Sequence, residues 1–150
     1  MPNDLSPRLA AIVEALPLRP DMRVLEIGGG PEIGGGPGAA ARAVADRLTC
    51  GHITMIDRSA AAIRQAQKAC ADRIAEGRMS VRQSAAEDFE LEPGEAPFDL
   101  AFAVRVGALD GRHPEAGKKV LARIARALEP GGRLFVDGGN PLREIRLPRG

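Results

Sequence analysis

Two acids close apolar runs in this chain, and a double cluster of glycines lies between them. The first acid opens the stretch Glu26-Ile27-Gly28-Gly29-Gly30-Pro31-Glu32-Ile33-Gly34-Gly35-Gly36-Pro37-Gly38, and the second ends His52-Ile53-Thr54-Met55-Ile56-Asp57. A backbone that turns sharply off a strand, takes positive φ and lies against a ligand has no room for a Cβ, so Gly28, Gly30, Gly34, Gly36 and Gly38 are candidates for such a turn. A carboxylate at the tip of the next strand, here Asp57, can accept hydrogen bonds from both hydroxyls of a ribose. Ser59 takes the N-cap position of the helix that follows, which leaves Asp57 for the ligand. Together these residues predict a nucleoside-binding crevice at the ends of two strands.

The hexapeptide Glu26-Ile27-Gly28-Gly29-Gly30-Pro31 is repeated at once as Glu32-Ile33-Gly34-Gly35-Gly36-Pro37. Removing either copy leaves Val-Leu-Glu-Ile-Gly-Gly-Gly-Pro-Gly uninterrupted. If Glu32-Ile33 ended the strand, Gly28 to Pro31 would enter a central parallel strand, where each glycine costs roughly 1 kcal/mol and proline removes a ladder hydrogen bond. The expectation is therefore that Glu26-Ile27 stays in the strand, Gly28 and Gly30 keep the turn, and Pro31 to Pro37 form a mobile excursion that weakens ligand binding.

The collapsed sequence resembles motif I of the class I S-adenosylmethionine (SAM) dependent methyltransferases, an acid, one residue and then Gly-x-Gly-x-Gly at the end of the first strand. A second match is Glu129-Pro130-Gly131-Gly132-Arg133-Leu134-Phe135-Val136-Asp137, similar to the family's turn into strand five. The resemblance implies SAM as cofactor, with Glu26, Gly28, Gly30, Gly34, Gly36, Gly38, Asp57, Arg58 and Val104 around it. Where the family often has Gly-Asp-Ala after strand three, this chain has Ser84-Ala85-Ala86, so the adenine would rest on the Ala86 backbone or on Glu87. Glu87 reads equally well as one acid of the solvated run Glu87, Asp88, Glu90, Glu92.

Chemistry beyond cofactor binding falls to the loop after strand four, because ligands of an open α/β sheet sit beyond the carboxyl ends of its strands. That loop offers His113 and Asp110 as bases and Arg105 as an anchor for an anionic substrate. Methyl transfer is an in-line displacement in which proximity supplies much of the rate. No Asn/Asp-Pro-Pro-aromatic motif follows strand four and no cysteine ends a strand, which leaves an oxygen, nitrogen or carbon nucleophile on a small molecule as acceptor. Two alternatives stand beside the active methyltransferase. One keeps the fold with impaired or lost SAM binding; the other is an NAD(P)-binding oxidoreductase.

The elements that must position these groups form a Rossmann-like, doubly wound, mostly parallel α/β sheet with helices on both faces and a shortened C-terminal hairpin, in a single domain over residues 1–150. Ser6-Pro7 starts a helix with Leu9, Ile12, Val13 and Leu16 on one face, which covers a sheet edge or, as the resemblance implies, borders the cofactor pocket. A long helix is predicted over Ser59 to Glu76, a strand buried on both faces over Pro97 to Val104, and an amphipathic helix over Glu115 to Leu128 with Ala116, Val120, Ile124 and Leu128 inward. Arg143 to Leu147 is left for one short strand. Either the tail covers the sheet edge, or an open edge pairs with a second chain in a homodimer.

A net charge of +1 provides no field towards nucleic acid or an anionic membrane, and the absence of Trp and Tyr removes the usual stacking platform. Cys50, Cys70, His52 and His113 are too scattered for a metal site. Without an N-terminal apolar stretch, the expected location is the cytoplasm.

Overall fold

The computed structural model describes residues 5–29, 36–104, 106, 109 and 114–148. In chain order these form α1 (Pro7–Ala15), β1 (Arg23–Ile27), α2 (Ala39–Ala45), β2 (His52–Asp57), α3 (Ala60–Ala69), α4 (Ala71–Ala75), β3 (Met79–Gln83), a 3-10 turn (Ala86–Asp88), β4 (Phe98–Ala103), α5 (Pro114–Ala127), β5 (Leu128–Asp137) and β6 (Leu142–Ile145). The six strands lie in the order β3-β2-β1-β4-β5-β6. The first five run parallel and β6 returns antiparallel to β5. The order reverses between β1 and β4, and a crevice opens at such a switch point beyond the strand ends.

Strands buried on both faces alternate their side chains between two apolar layers. Val24, Ile53, Met55, Leu100, Phe102 and Phe135 join α1, α2 and α3 in the first layer. Leu25, Ile27, Ile56, Ala101, Leu134 and Val136 join α5 and Phe89 in the second. Ser6 caps α1 as its sequence requires, accepting from the Leu9 amide at 3.2 Å. The helix packs against the sheet through one face. Its buried stripe of Leu9, Ile12 and Val13 enters the first layer, and Arg8 reaches Asp137 at the end of β5 at 3.0 Å.

Several expectations are corrected in detail. The helix predicted over Ser59 to Glu76 is two helices, broken at Cys70, whose φ of −112° and ψ of 20° leave the helical region. Cys70 is fully buried with its Sγ 3.7 Å from the Gly38 carbonyl, so packing against that glycine overrides helix continuation. In α5 Val120 and Ile124 are buried as expected, but Gly117 is buried in place of the expected Ala116, and Leu128, also buried, begins β5. The Pro130-Gly131-Gly132 segment lies within the span of β5 as an irregularity. Phe98 pairs with Leu128 but Leu100 pairs with Arg133, so the chain gains residues opposite Asp99 before the regular ladder begins. The tail strand begins at Leu142 and takes up the free edge of β5, the first of the two expected outcomes. Arg133 and Glu144 pair across it at 2.9 Å.

A polar cluster closes the second face between the start of β1 and the end of β3. Glu95 accepts from Arg82 at 2.9 Å and from the Glu92 amide at 2.8 Å, with Arg23 at 3.7 Å. The two guanidinium groups lie over the rings of Phe89 and Phe98. Burial pushes the Glu95 carboxyl up, but the Arg82 and Glu92 hydrogen bonds and the charges of Arg82 and Arg23 outweigh it and hold the group below its ordinary value of 4.5. An acid with a depressed folded pKa contributes stability above its unfolded value, and that contribution is lost as pH falls through the folded value. Glu95→Gln is thus expected to destabilise the protein by about 1–2 kcal/mol near neutral pH, a difference that shrinks at a second pH well below the ordinary 4.5, as the lowered folded value is passed. Urea unfolding of both proteins at the two pH values checks it.

Candidate functional site

The crevice is built at the carboxyl ends of β1, β2 and β4. Ile27 of β1 pairs with Ile56 and with Ala103, so the next residue of each strand, Gly28, Asp57 and Val104, lies at one level along the rim. Glu26 shares the side of Val24, Asp57 that of Met55 and Val104 that of Phe102, all facing the first layer. Glu26 is fully buried and Asp57 is 6% exposed. Two carboxylates therefore stand under one rim.

The glycine turn joins residues from both copies of the repeat. Glu26-Ile27 ends β1, as the cost of glycine and proline in a central strand requires. Gly28 then turns with φ of 72°, and its amide donates to the Ile56 carbonyl at 2.8 Å. On the helix side Gly36 and Gly38 have φ of 75° and 83°, and the Gly38 amide donates to the Gly29 carbonyl at 3.2 Å. The turn thus takes Gly28 and Gly29 from the first copy and Gly36 from the second, followed by Gly38. Gly30 and Gly34 lie outside the described residues.

Close packing explains why these positions are glycine. A Cβ on Gly28 would come within 2.8 Å of Val106 Cγ2. On Gly29 it would meet Met55 at 2.6 Å and the Glu26 carboxyl carbon at 2.9 Å, which puts that carboxyl directly against the turn. On Gly38 it would meet Cys70 Sγ at 2.9 Å and Ala66 Cβ at 3.2 Å, whereas on Gly36 it would meet nothing within 4 Å. Positive φ costs an L-residue roughly 1–2 kcal/mol and overpacking adds about 1–3 kcal/mol. Gly38→Ala is expected to destabilise the fold by about 2–5 kcal/mol and Gly36→Ala by only about 1–2 kcal/mol, measured by urea unfolding. Equal losses would mean that the contact with α3 and Cys70 carries no energy.

Asp57 Oδ1 accepts from the Ser59 amide at 2.9 Å while Ser59 Oγ caps α3 through the Ala62 amide at 3.1 Å. The serine is the cap, as expected, and a carboxylate with about four acceptor sites keeps capacity for hydroxyl groups beside the Ser59 bond. Across the mouth, the 3-10 turn brings Glu87 to Arg58, 3.3 Å apart, with side-chain exposures of 38% and 72%. Glu87 is therefore tied to Arg58 rather than merely solvated, and Ala86 stands beside it in the same turn. Arg105, Asp110 and His113 lie outside the described residues, so the geometry of the three catalytic candidates is not defined. Among the described residues no cluster of His, Cys, Asp or Glu could hold a metal, and no helix is long and apolar enough to cross a membrane.

The sequence reading missed Gly29, Val106 and Asp137. Gly29 stood in plain view within the triple glycine, but only the alternate positions of the motif were singled out. Asp137 ends the apolar run Leu134-Phe135-Val136, the same signal that marks Asp57. Val106 has no local signal, because its role is to fill the space over Gly28.

Comparison with known proteins agrees with this geometry. The family described as "Methyltransferase domain" matches residues 32–132, beginning at the second copy of the hexapeptide. A protein-L-isoaspartate O-methyltransferase from Methylorubrum populi is 37% identical over 134 residues, covering 89% of this chain and 52% of that protein. The chain thus spans about half the length of this curated relative. In three dimensions it is similar to SAM-dependent methyltransferases from Thiobacillus denitrificans and Geobacter sulfurreducens, both solved with S-adenosylhomocysteine (SAH). The TM-scores are 0.65 and 0.64 at 23% and 22% identity, over 91% of this chain in each case and 50% and 49% of theirs. It is also similar to the mitomycin 7-O-methyltransferase, with a TM-score of 0.67 at 20% identity over 86% of this chain and 34% of that one.

Proposed function

Since this chain belongs to the class I SAM-dependent methyltransferase family, we propose that its crevice binds SAM and transfers the methyl group to an acceptor held beyond β4. The observation that carries the reading is the buried Glu26 carboxylate pressed against the Gly28-Gly29 turn, with Asp57 one strand away. A dinucleotide would set its pyrophosphate against that turn, where a buried carboxylate repels it. The ammonium group of a methionine moiety is attracted there instead. The residues present fit SAM and disfavour the NAD(P) alternative.

In this reading Asp57 accepts hydrogen bonds from the ribose hydroxyls, the Gly28-Gly29 backbone admits the ligand closely, and Ala86 with Glu87 lies at the adenine end. Val104 and Val106 give the rim an apolar wall that excludes water. When bound, SAM supplies a methyl group made electrophilic by its sulfonium. The chain's task is to hold the acceptor in line with that group, since effective molarity supplies much of the acceleration. His113 and Asp110 are proposed to take the acceptor's proton, and Arg105 to anchor an anionic group on it.

The absence of an Asn/Asp-Pro-Pro-aromatic motif after strand four supports a small-molecule acceptor. The Methylorubrum populi relative supports a second reading, in which the acceptor is an L-isoaspartyl residue of a protein or peptide. Calorimetric titration with SAH and with NAD+ tests the cofactor. Micromolar SAH binding without NAD+ binding is expected, and the converse overturns the proposal. Tritium transfer from labelled SAM to an isoaspartyl peptide and to a panel of small phenols, amines and carboxylates then separates the two acceptor classes.

A further inference from the structure

The rim that holds Gly28, Asp57 and Val104 continues one strand further. Ala103 of β4 pairs with Val136 of β5, so Asp137 lies at the level of Val104. Leu134 and Val136 face the second layer and Phe135 the first, so alternation turns Asp137 to the same side of the sheet as Glu26 and Asp57. The side chain of Asp137 is only 16% exposed, and it is held at 3.0 Å by Arg8, whose own side chain is 56% exposed. The crevice thus has an acid at each end. Asp57 and Asp137 are separated by three strand spacings, about 14 Å.

We propose that Asp137 is the acceptor-side carboxylate of this site. It faces the sulfonium end of the bound cofactor, it selects acceptors that present a hydrogen-bond donor such as an amine or hydroxyl, and Arg8 holds it in place. The inference rests on the SAM-binding reading above. With the ribose fixed at β2 and the methionine end at β1, the reactive sulfur lies on the β4 side of the ribose, and Asp137 is the described carboxylate on the β5 side of that position. A negative charge there favours a sulfonium or an ammonium group over the neutral thioether of SAH. Asp57 and Glu26 meet ribose and methionine groups that the ligands share, so their contributions cancel in the comparison.

The test is calorimetric titration of the native chain, Asp137→Asn and Arg8→Gln with three probes: SAH, SAM and sinefungin, which carries an ammonium group where SAM carries its methyl. The native chain is expected to bind sinefungin about tenfold tighter than SAH, and Asp137→Asn to lose that preference while its SAH affinity stays within about twofold. Arg8→Gln, which releases Asp137 from the group that holds it, is expected to reduce the preference while SAH affinity stays within about twofold. An unchanged ratio in Asp137→Asn overturns the proposal, as does an equal loss of all three ligands, which would make Asp137 a structural residue only. If the native chain binds none of the three, the SAM reading falls and this inference falls with it. If SAH binds normally and charge makes no difference, only the inference falls.

Discussion

Asp57→Ala is expected to lower affinity for SAH by roughly a hundredfold, because hydrogen bonds to a charged acceptor contribute about 1.5–3 kcal/mol each and two ribose hydroxyls would lose theirs. The unliganded protein should suffer far less. Its loss includes the bond from the Ser59 amide to Asp57 Oδ1, and the cap of α3 by Ser59 Oγ remains in place. A fall in folding stability of about 1 kcal/mol is expected from that bond. Asp57→Asn keeps the shape and one acceptor oxygen, so it should fall between native and alanine. Calorimetry with SAH and urea unfolding of the same three proteins separate the two effects. Native affinity in Asp57→Ala would show that the ribose is held elsewhere and that the rim of acids is misassigned.

Deleting Glu32 to Pro37 is expected to tighten SAH binding about tenfold or more while leaving the fold intact. The shortened sequence runs Gly28-Gly29-Gly30-Pro31-Gly38, so Gly30 and Pro31 arrive where Gly36 and Pro37 stand and every described position keeps its residue type. The turn would close on the same bond, from the Gly38 amide to the Gly29 carbonyl. Loop-closure entropy grows only with the logarithm of loop length, so removing six residues should stabilise the fold by no more than about 1 kcal/mol. A larger change in affinity than in stability is therefore the signature of an excursion that obstructs the crevice. Equal affinity for the two chains would mean that the extra residues stay clear of the ligand and that the search should move to acceptors.

The acids at the strand ends were legible because a strand buried on both faces reads as an apolar run, and a polar residue closing it marks the rim. Glu26 and Asp57 follow that rule, and Asp137 obeys it as well. The α1 cap was legible because Ser6 and Pro7 are local signals that need no tertiary partner. The break at Cys70 was not, since Ala60 to Glu76 is helix-favouring throughout and the interruption comes from packing Cys70 under Gly38, far away in sequence. Nor was the pairing of Arg58 with Glu87, which depends on how the 3-10 turn meets the end of β2.

The repeat separates the two kinds of information most sharply. By itself the sequence determined that one acid and a glycine turn follow the first strand, because only glycine tolerates the positive φ and close contacts required there. Two identical hexapeptides have the same intrinsic preferences, so local propensity alone cannot apportion their residues. Tertiary structure does so through unlike neighbours. The ladders that pair Glu26 with Met55 and with Phe102 fix the first copy in the sheet. Ala66 and Cys70 admit only a bare backbone at Gly38, which fixes the end of the second copy at the helix.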